Sequence, residues 1–210
     1  MNPEDSTKTA NHAPQLFGLV LSGGKSSRMG KDKGLVNYHG TPQREYLYFL
    51  LKKVCDSVFL SIRQEQLPET PTSFKTVVDQ DKYNGPFNGI MSAFDAHPNV
   101  GWLVIACDLP FMDLPSLQQL IGKRNPEKSA TAFKNPDTGN PEPLCCIWEP
   151  KGLKEALDFL KNSDYPSPKQ VLMDAGISLV QPKNEQVLFN ANSLSDYKFV
   201  KGKLKEQEGG

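Results

Sequence analysis

Glycines and cations are concentrated directly after the first apolar run of the sequence, residues 17–21. Between residues 23 and 33 there are three glycines, three lysines and one arginine: Gly23, Gly24, Gly30, Lys25, Lys31, Lys33 and Arg28. Glycine lets a backbone approach a ligand closely, and free amides at such a turn bind phosphate oxygens. Cationic side chains neutralise a polyphosphate. The segment therefore predicts a site for a phosphorylated ligand.

A second chemical signal is an aspartate that directly follows a continuous apolar run. Asp108 comes after residues 102–107 and opens the segment Asp108-Leu109-Pro110-Phe111. A carboxylate at the end of a buried strand is held rigidly, and Mg²⁺ favours one or two carboxylates together with phosphate oxygens and waters. Asp108 is therefore the best metal candidate; the competing interpretation is a capping residue before Pro110.

The elements that must position these residues alternate along the chain. Predicted strands cover residues 17–21, 58–62, 75–78, 102–107, 130–133 and 144–148. Predicted helices cover residues 42–54, 88–97, 114–124, 151–161, 168–175 and 196–200, with a loop at 135–143. This alternation predicts a three-layer α/β fold with a mainly parallel sheet, in which ligands bind at the carboxyl ends of the strands.

Composition restricts the function further. The 210 residues include 24 basic and 24 acidic side chains, so the zero net charge argues against a general nucleic-acid binder. No apolar run reaches the roughly 18 residues of a membrane span, and the polar start does not resemble a signal peptide. We expect one domain at residues 16–200, a disordered leader at 1–15 and a flexible tail at 201–210. Four cysteines without a C-x-x-C pair indicate reduced thiols in a cytoplasmic protein.

The glycine segment does not fit the two common phosphate-binding motifs. A P-loop ending in Gly24-Lys25-Ser26 would need glycine at position 19, where Leu19 stands. The dinucleotide pattern G-x-G-x-x-G is also absent.

An ordered set of motifs instead resembles the molybdenum cofactor guanylyltransferases, the MobA-like nucleotidyltransferases. The matching residues, in chain order, are Leu21-Ser22-Gly23-Gly24, Arg28-Met29-Gly30, Lys33, Asp79, Gly85-Pro86, Gly89, Cys107-Asp108-Leu109-Pro110-Phe111, Pro143-Leu144, Asn190, Asn192 and Asp196. Their order and spacing hold from about residue 17 to 200. The resemblance implies a Rossmann-like nucleotidyltransferase fold.

The resemblance also implies a reaction and a set of site residues. A phosphate oxygen of molybdenum–molybdopterin would attack the α-phosphorus of GTP and release pyrophosphate, with Mg²⁺ bound by Asp108. The implied catalytic residues are Arg28, Lys33 and Asp108. The implied nucleotide-binding residues are Leu21, Ser22, Gly23, Gly24, Lys33, Arg63, Asp79, Gly85, Pro86 and Asp108. Asn190 and Asn192 would contact the pterin acceptor. Lys25 and Lys31 are expected to be surface residues or to add outer electrostatic attraction for the ligand.

Competing interpretations accompany several of these residues. Asp79 could be a turn residue, with Asp81 easily mistaken for it, and Asn190 and Asn192 could form a polar turn. Trp102 and Trp148 are expected to pack in the core or at the surface rather than to stack on a pterin. Arg63 stands where many relatives have a nucleotide-binding asparagine.

Three functions remain in competition. The first is guanylyl transfer, favoured by Ser22-Gly23-Gly24 over the Ala-Ala-Gly that is common in relatives using CTP. The second is cytidylyl or other nucleotidyl transfer to a related phosphorylated acceptor. The third is a non-catalytic nucleotide-binding regulatory protein, which the presence of both Lys33 and Asp108 disfavours. Transient contact with molybdenum-insertion proteins or acceptor molybdoenzymes is also expected; nucleic acid and membrane partners are not.

Overall fold

The computed structural model describes residues 13–23, 32–162 and 167–208. The strands are β1 (Leu16–Leu21), β2 (Ser57–Ile62), β3 (Thr76–Val78), β4 (Gly101–Ala106), β5 (Ala130–Lys134), β6 (Pro141–Trp148) and β7 (Ile177–Val180). The helices are α1 (Gln43–Leu51), α2 (Pro86–Ala96), α3 (Leu114–Gly122), α4 (Pro150–Asn162), α5 (Pro168–Asp174) and α6 (Leu194–Glu208). Short 3₁₀ turns occupy Lys33–Leu35, Gln64–Glu69 and Glu185–Leu188.

The seven strands form one sheet in the order β3-β2-β1-β4-β6-β5-β7. All neighbouring pairs are parallel except those of β6, which runs antiparallel to β4 and β5. The prediction of a mainly parallel sheet is confirmed. From β1 the chain adds β2 and β3 on one side, and then returns to add β4 on the other side of β1. The direction in which strands are added to the sheet therefore reverses between β1 and β4. Such a reversal opens a crevice at the carboxyl ends of β1 and β4.

Helices cover both faces of the sheet. On one face, α1 and α3 contribute buried side chains such as Leu47 and Leu117 to the core, and on the other α2 and α4 contribute Ile90 and Leu153. Strand β4 is buried at every position because helices cover both of its faces, as its continuous apolar run predicts. The three-layer α/β prediction is therefore confirmed.

The tryptophans belong to this core. The Trp102 and Trp148 side chains are fully buried within the layer that includes α2 and α4. The expectation that they are packing residues is confirmed.

The prediction of a short last helix ending near residue 200 is wrong, because α6 continues to Glu208. Val200 is buried, and the Lys201 ammonium donates to the carbonyl oxygen of Tyr38 at 3.0 Å. These long-range contacts anchor a segment whose polar composition suggested a fraying tail.

Two other elements differ from prediction. Strand β7 was not predicted, since four residues at the sheet edge carry little periodic signal. The loop predicted at residues 135–143 is shorter because β6 begins at Pro141.

Two further observations bear on the predicted segments. Residues 1–12 of the predicted leader lie outside the described residues. Within the described ranges, every helix is too short or too polar to cross a bilayer.

Candidate functional site

A cavity of about 680 Å³ lies at the carboxyl ends of β1, β2, β3 and β4. Ten of the residues predicted for the site line it: Leu21, Ser22, Gly23, Lys33, Arg63, Asp79, Gly85, Pro86, Asp108 and Asn192. Segments separated by up to about 170 positions therefore converge on one opening, at the point where the order of strand addition reverses.

Lys33, Asp108 and Asn192 form the polar centre of this cavity. The Lys33 ammonium nitrogen lies 3.6 Å from Oδ2 of Asp108 and donates a hydrogen bond to Oδ1 of Asn192. The Asp108 carbonyl oxygen accepts the Ala191 N–H at 2.8 Å, which fixes the asparagine segment to the end of β4. A cation, a carboxylate and an amide from three distant segments are thus held together.

Asp108 has the properties of a metal-binding carboxylate. Its Oδ1 is buried and makes no hydrogen bond within the described part of the chain, although the side chain lines the cavity. Burial raises the pKa of Asp108, and the Lys33 ammonium opposes that rise. A single carboxylate fits a divalent cation that completes its coordination with waters and substrate oxygens. No cluster of three or more His, Cys, Asp or Glu side chains within the described residues offers an all-protein metal site.

Asp79 is held at the opposite side of the cavity by the end of β2. Its Oδ1 accepts a hydrogen bond from the Ser61 hydroxyl at 2.7 Å. Burial raises the pKa of Asp79, while the Ser61 hydrogen bond and the nearby Arg63 charge lower it. Asp81 lines the same cavity from the following turn, with a φ of 52°, and accepts from the Asn88 amide at 3.2 Å. Asp79 is therefore the carboxylate fixed to a strand end, and Asp81 is the turn residue.

Gly23 lies in close contact with the Asp79 side chain. A Cβ built on Gly23 would lie 2.3 Å from Oδ2 and 3.2 Å from Cγ of Asp79. The backbone at Gly23 therefore passes directly against this carboxylate, and a side chain at this position would push the two apart.

We expect Gly23→Ala to weaken binding of a fluorescent GTP analogue about tenfold, because relieving such an overlap costs roughly 1–3 kcal/mol. Gly122→Ala is the matched control, since a Cβ there has no atom within 4 Å. Titration and thermal unfolding of both variants test this expectation. Unchanged binding by Gly23→Ala would show that the contact between Gly23 and Asp79 does not shape the nucleotide site.

Arg63 contacts the glycine segment directly. Its guanidinium donates to the carbonyl oxygen of Gly23 at 2.5 Å through Nη1 and to Glu65 at 2.7 Å through Nε. Arg63 therefore holds the end of β1 against the end of β2. Direct nucleotide binding by Arg63 stays a prediction.

The start of α2 forms another wall of the cavity. Gly85 precedes this helix with a φ of 62°, a conformation that favours glycine, and Pro86 occupies the first turn. Gly89 lets α2 approach β2, since a Cβ there would lie 2.2 Å from the Ser61 hydroxyl oxygen. The Gly-Pro motif thus directs the N-terminus of α2 toward the cavity.

The other predicted site residues either lie outside the described residues or do not line the cavity. Gly24 and Arg28, like Lys25 and Lys31, lie outside the described residues. Asn190 does not line the cavity; its side chain donates to the carbonyl oxygen of Leu188 at 3.3 Å. Its contact with an acceptor stays a prediction.

Sequence reasoning missed several residues of the site region. Ser61 is a buried polar residue inside an apolar strand, which is a signal that the sequence carries. Asp32 lines the cavity beside Lys33. Burial also raises the pKa of Glu142, and the Asp108 charge adds to the rise. Glu142 escaped prediction because β6 is antiparallel, so its first residues lie at the edge where the parallel strands end.

Comparison with known proteins gives a consistent result. The MobA-like NTP transferase domain matches residues 18–174. The chain is 42% identical over 183 residues to the "Molybdenum cofactor biosynthesis bifunctional protein" of Synechocystis sp., covering 87% of this chain and 52% of that protein. This chain thus spans about half of that relative's length.

Two other proteins match over most of their length. The "Molybdenum cofactor guanylyltransferase" of Pseudomonas fluorescens is 32% identical over 181 residues, covering 83% of this chain and 88% of that protein. The crystal structure of "Molybdopterin-guanine dinucleotide biosynthesis protein A" from Archaeoglobus fulgidus has a TM-score of 0.74 at 20% identity, covering 90% of this chain and 99% of that chain. This last similarity concerns the fold.

Proposed function

The chain belongs to the MobA-like NTP transferase domain family, a family of nucleotidyltransferases, and we propose that it transfers GMP from GTP to molybdenum–molybdopterin with release of pyrophosphate. The relatives named as molybdenum cofactor guanylyltransferases support this assignment. So does the sequence Ser22-Gly23-Gly24, which favours guanine over cytosine as the base.

The convergence of Lys33 and Asp108 carries the proposal. The two side chains come from segments 75 positions apart, and both line one cavity with Gly23 and Asp79. A metal–triphosphate suits this combination of a cation, a metal-binding carboxylate and a glycine that permits close approach of the backbone. The presence of both Lys33 and Asp108 disfavours a non-catalytic nucleotide-binding protein.

The chemistry requires no nucleophile from the protein. A phosphate oxygen of the acceptor forms a bond to the α-phosphorus of GTP, and the bond from that phosphorus to the β-phosphate oxygen breaks to release pyrophosphate. Catalysis of this kind depends on positioning and on stabilisation of negative charge. Lys33 supplies positive charge beside the phosphates, and Gly23 permits close approach of the backbone.

We propose Mg²⁺ as the divalent cation and Asp108 as its protein ligand. When bound, Mg²⁺ would supply positive charge to the phosphate oxygens and to the leaving pyrophosphate. The role of Asp108 is to hold a carboxylate at the end of β4, and the role of Lys33 is to keep that carboxylate oriented at 3.6 Å.

We propose that the acceptor lies on the side of the cavity formed by Asn192. This amide accepts from Lys33, so it lies beside the charges that act on the reacting phosphate. Asparagine both donates and accepts hydrogen bonds, which suits the edge of a pterin ring. A cytoplasmic location and transient contact with molybdenum-insertion proteins or acceptor molybdoenzymes remain predictions.

The test is a transfer assay with purified protein, GTP, Mg²⁺ and molybdenum–molybdopterin. We expect pyrophosphate release and a product heavier by one GMP unit in mass spectrometry. Competition by CTP and ATP measures base preference in the same assay. The absence of transfer to a competent acceptor would refute the proposed function, and preferential transfer from CTP would replace it with cytidylyl transfer.

A further inference from the structure

The buried amide of Gln66 joins three segments beside the cavity. Gln66 lies in the 3₁₀ turn Gln64–Glu69 after β2, and only 5% of the residue is exposed. A buried primary amide must satisfy its polar atoms within the protein, so the partners that it selects are informative.

The Gln66 amide is engaged on both of its polar atoms. Its Nε2 donates to the carbonyl oxygen of Ser22 at 3.2 Å and also to Oδ2 of Asp32. Its Oε1 accepts the backbone N–H of Arg63 at 2.8 Å. One side chain therefore ties the end of β2 to Ser22 and to Asp32, which are 44 and 34 positions away.

These partners flank residues 23–31, which hold most of the glycines and cations of that segment. Ser22 directly follows β1, and Asp32 directly precedes Lys33. The other oxygen of Asp32 accepts the Gly34 N–H at 2.8 Å and so caps the 3₁₀ turn that carries Lys33. A Cβ on Gly34 would lie 2.4 Å from the Ser22 hydroxyl oxygen, so this turn packs against the end of β1.

We propose that Gln66 is a positioning residue for nucleotidyl transfer, which places Lys33 opposite Asp108 by tying Asp32 to the end of β1. The inference rests on the proposed function of this cavity. Gln66 does not line the cavity itself and acts through Asp32 and Ser22.

The chemistry of the amide explains why this position requires glutamine. Only the amide nitrogen can donate to two acceptors while the neighbouring oxygen accepts from Arg63. Gln66→Glu keeps the shape and the acceptor for the Arg63 N–H, but loses both donations. At pH 8 it also faces the Asp32 carboxylate with a second negative charge. The substitution therefore leaves the Asp32 cap of the 3₁₀ turn in place and breaks the contacts proposed to position Lys33.

The experiment is a double-mutant cycle on Gln66 and Asp32 at pH 8. We expect Gln66→Glu to lower kcat/KM for GTP about 10- to 100-fold and to weaken binding of a fluorescent GTP analogue about tenfold. Asp32→Asn should lower both in the same direction, because its amide would face the Gln66 amide, although asparagine still caps Gly34. Asp32→Asn tests the same contact between positions 66 and 32 if Gln66→Glu does not fold.

The double variant Gln66→Glu/Asp32→Asn exchanges donor and acceptor across the contact. We expect it to exceed Gln66→Glu in kcat/KM by about fivefold or more, a coupling typical of directly contacting residues. Recovery stays partial because the Ser22 carbonyl oxygen regains no donor. The unfolding temperature of each variant, measured in the same cycle, shows whether the recovery follows fold stability or the position of Lys33.

Thr70→Val is the matched control in the same turn. The Thr70 hydroxyl donates to the Gln66 carbonyl oxygen at 2.9 Å and is buried to a similar degree, but it does not reach Ser22 or Asp32. We expect it to lower the unfolding temperature with kcat/KM and analogue affinity within about twofold of the parent.

Three results would overturn the inference: Gln66→Glu with parental kinetics and affinity, a double variant no better than Gln66→Glu, or Thr70→Val with the same kinetic loss. Analogue binding separates this inference from the proposed function. If the parent protein binds the GTP analogue but transfers no GMP, the proposed function fails. The affinities of the variants for the analogue still decide whether Gln66 positions Lys33.

Discussion

Asp108→Asn will lower kcat for nucleotidyl transfer by about 10²–10³-fold, the loss typical of removing one group that stabilises charge at a reaction centre. Asparagine preserves the shape of the side chain at the end of β4. It removes the negative charge that a divalent cation requires and that the Lys33 ammonium faces at 3.6 Å. Pyrophosphate release under saturating GTP and acceptor measures the effect.

The same substitution will leave the protein at least as stable as the parent at neutral pH. Burial raises the folded-state pKa of Asp108 above its unfolded-state value. Its contribution to stability is therefore complete below the unfolded-state pKa and is lost as pH rises through the folded-state pKa. At neutral pH the buried charge is a cost that asparagine does not carry. Thermal unfolding without Mg²⁺ should show the higher unfolding temperature for Asp108→Asn at pH 7, with the difference shrinking toward pH 4.

Asp113→Asn is the matched control for this prediction. Asp113 lies five positions away and caps α3 by accepting the Ser116 N–H at 2.8 Å, a role that asparagine fills equally well. Its turnover should equal that of the parent. Parental turnover in Asp108→Asn would contradict the assignment of the metal ligand, and unfolding of that variant at neutral pH would contradict the stability argument.

The sequence was sufficient to predict the central strands. The continuous apolar run at residues 102–107 identifies β4 to within one residue at each end, because a strand covered on both faces carries an uninterrupted signal. The run at residues 58–62, which only Ser61 interrupts, identifies β2 equally well. The edge strand β7 and the length of α6 depend on partners from distant segments, such as Tyr38 for Lys201. No local pattern reports such contacts.

The site residues divide in the same way, into those that a local pattern predicts and those that depend on distant contacts. Gly23, Asp79 and Asp108 could be predicted because each lies within two residues of a strand end and belongs to an ordered motif. Gln66 could not, since its importance lies in hydrogen bonds to Ser22 and Asp32, which are distant in the sequence. Ser61 carries a local signal as a polar residue in an apolar strand, but its hydrogen bond to Asp79 is not visible in the sequence. A sequence motif identifies the groups nearest the ligand, whereas the residues that hold those groups in place become visible only when the strands are assembled.

Lys33→Ala will lower kcat/KM for GTP by about 10²–10³-fold, because its ammonium is the cation in the described part of the cavity that lies beside both Asp108 and Asn192. Lys33→Arg should recover only part of this loss. The planar guanidinium has a different reach and donor geometry from the ammonium. The initial rate of pyrophosphate release at low GTP concentration gives kcat/KM for each variant.

Loss of the Lys33 charge will also shift the dependence of activity on pH. The ammonium opposes the rise in the Asp108 pKa that burial causes, so its removal raises that pKa further. The acid limb of kcat/KM should therefore move to higher pH in Lys33→Ala, since the carboxylate form of Asp108 is lost at a higher pH.

Lys75→Ala is the matched control. The Lys75 ammonium donates to the Ser57 hydroxyl at 3.1 Å, at the start of β2 and the opposite end of the sheet. A change in Lys75→Ala as large as in Lys33→Ala would mean that general surface charge drives catalysis; an unshifted acid limb in Lys33→Ala would mean that Lys33 and Asp108 act independently.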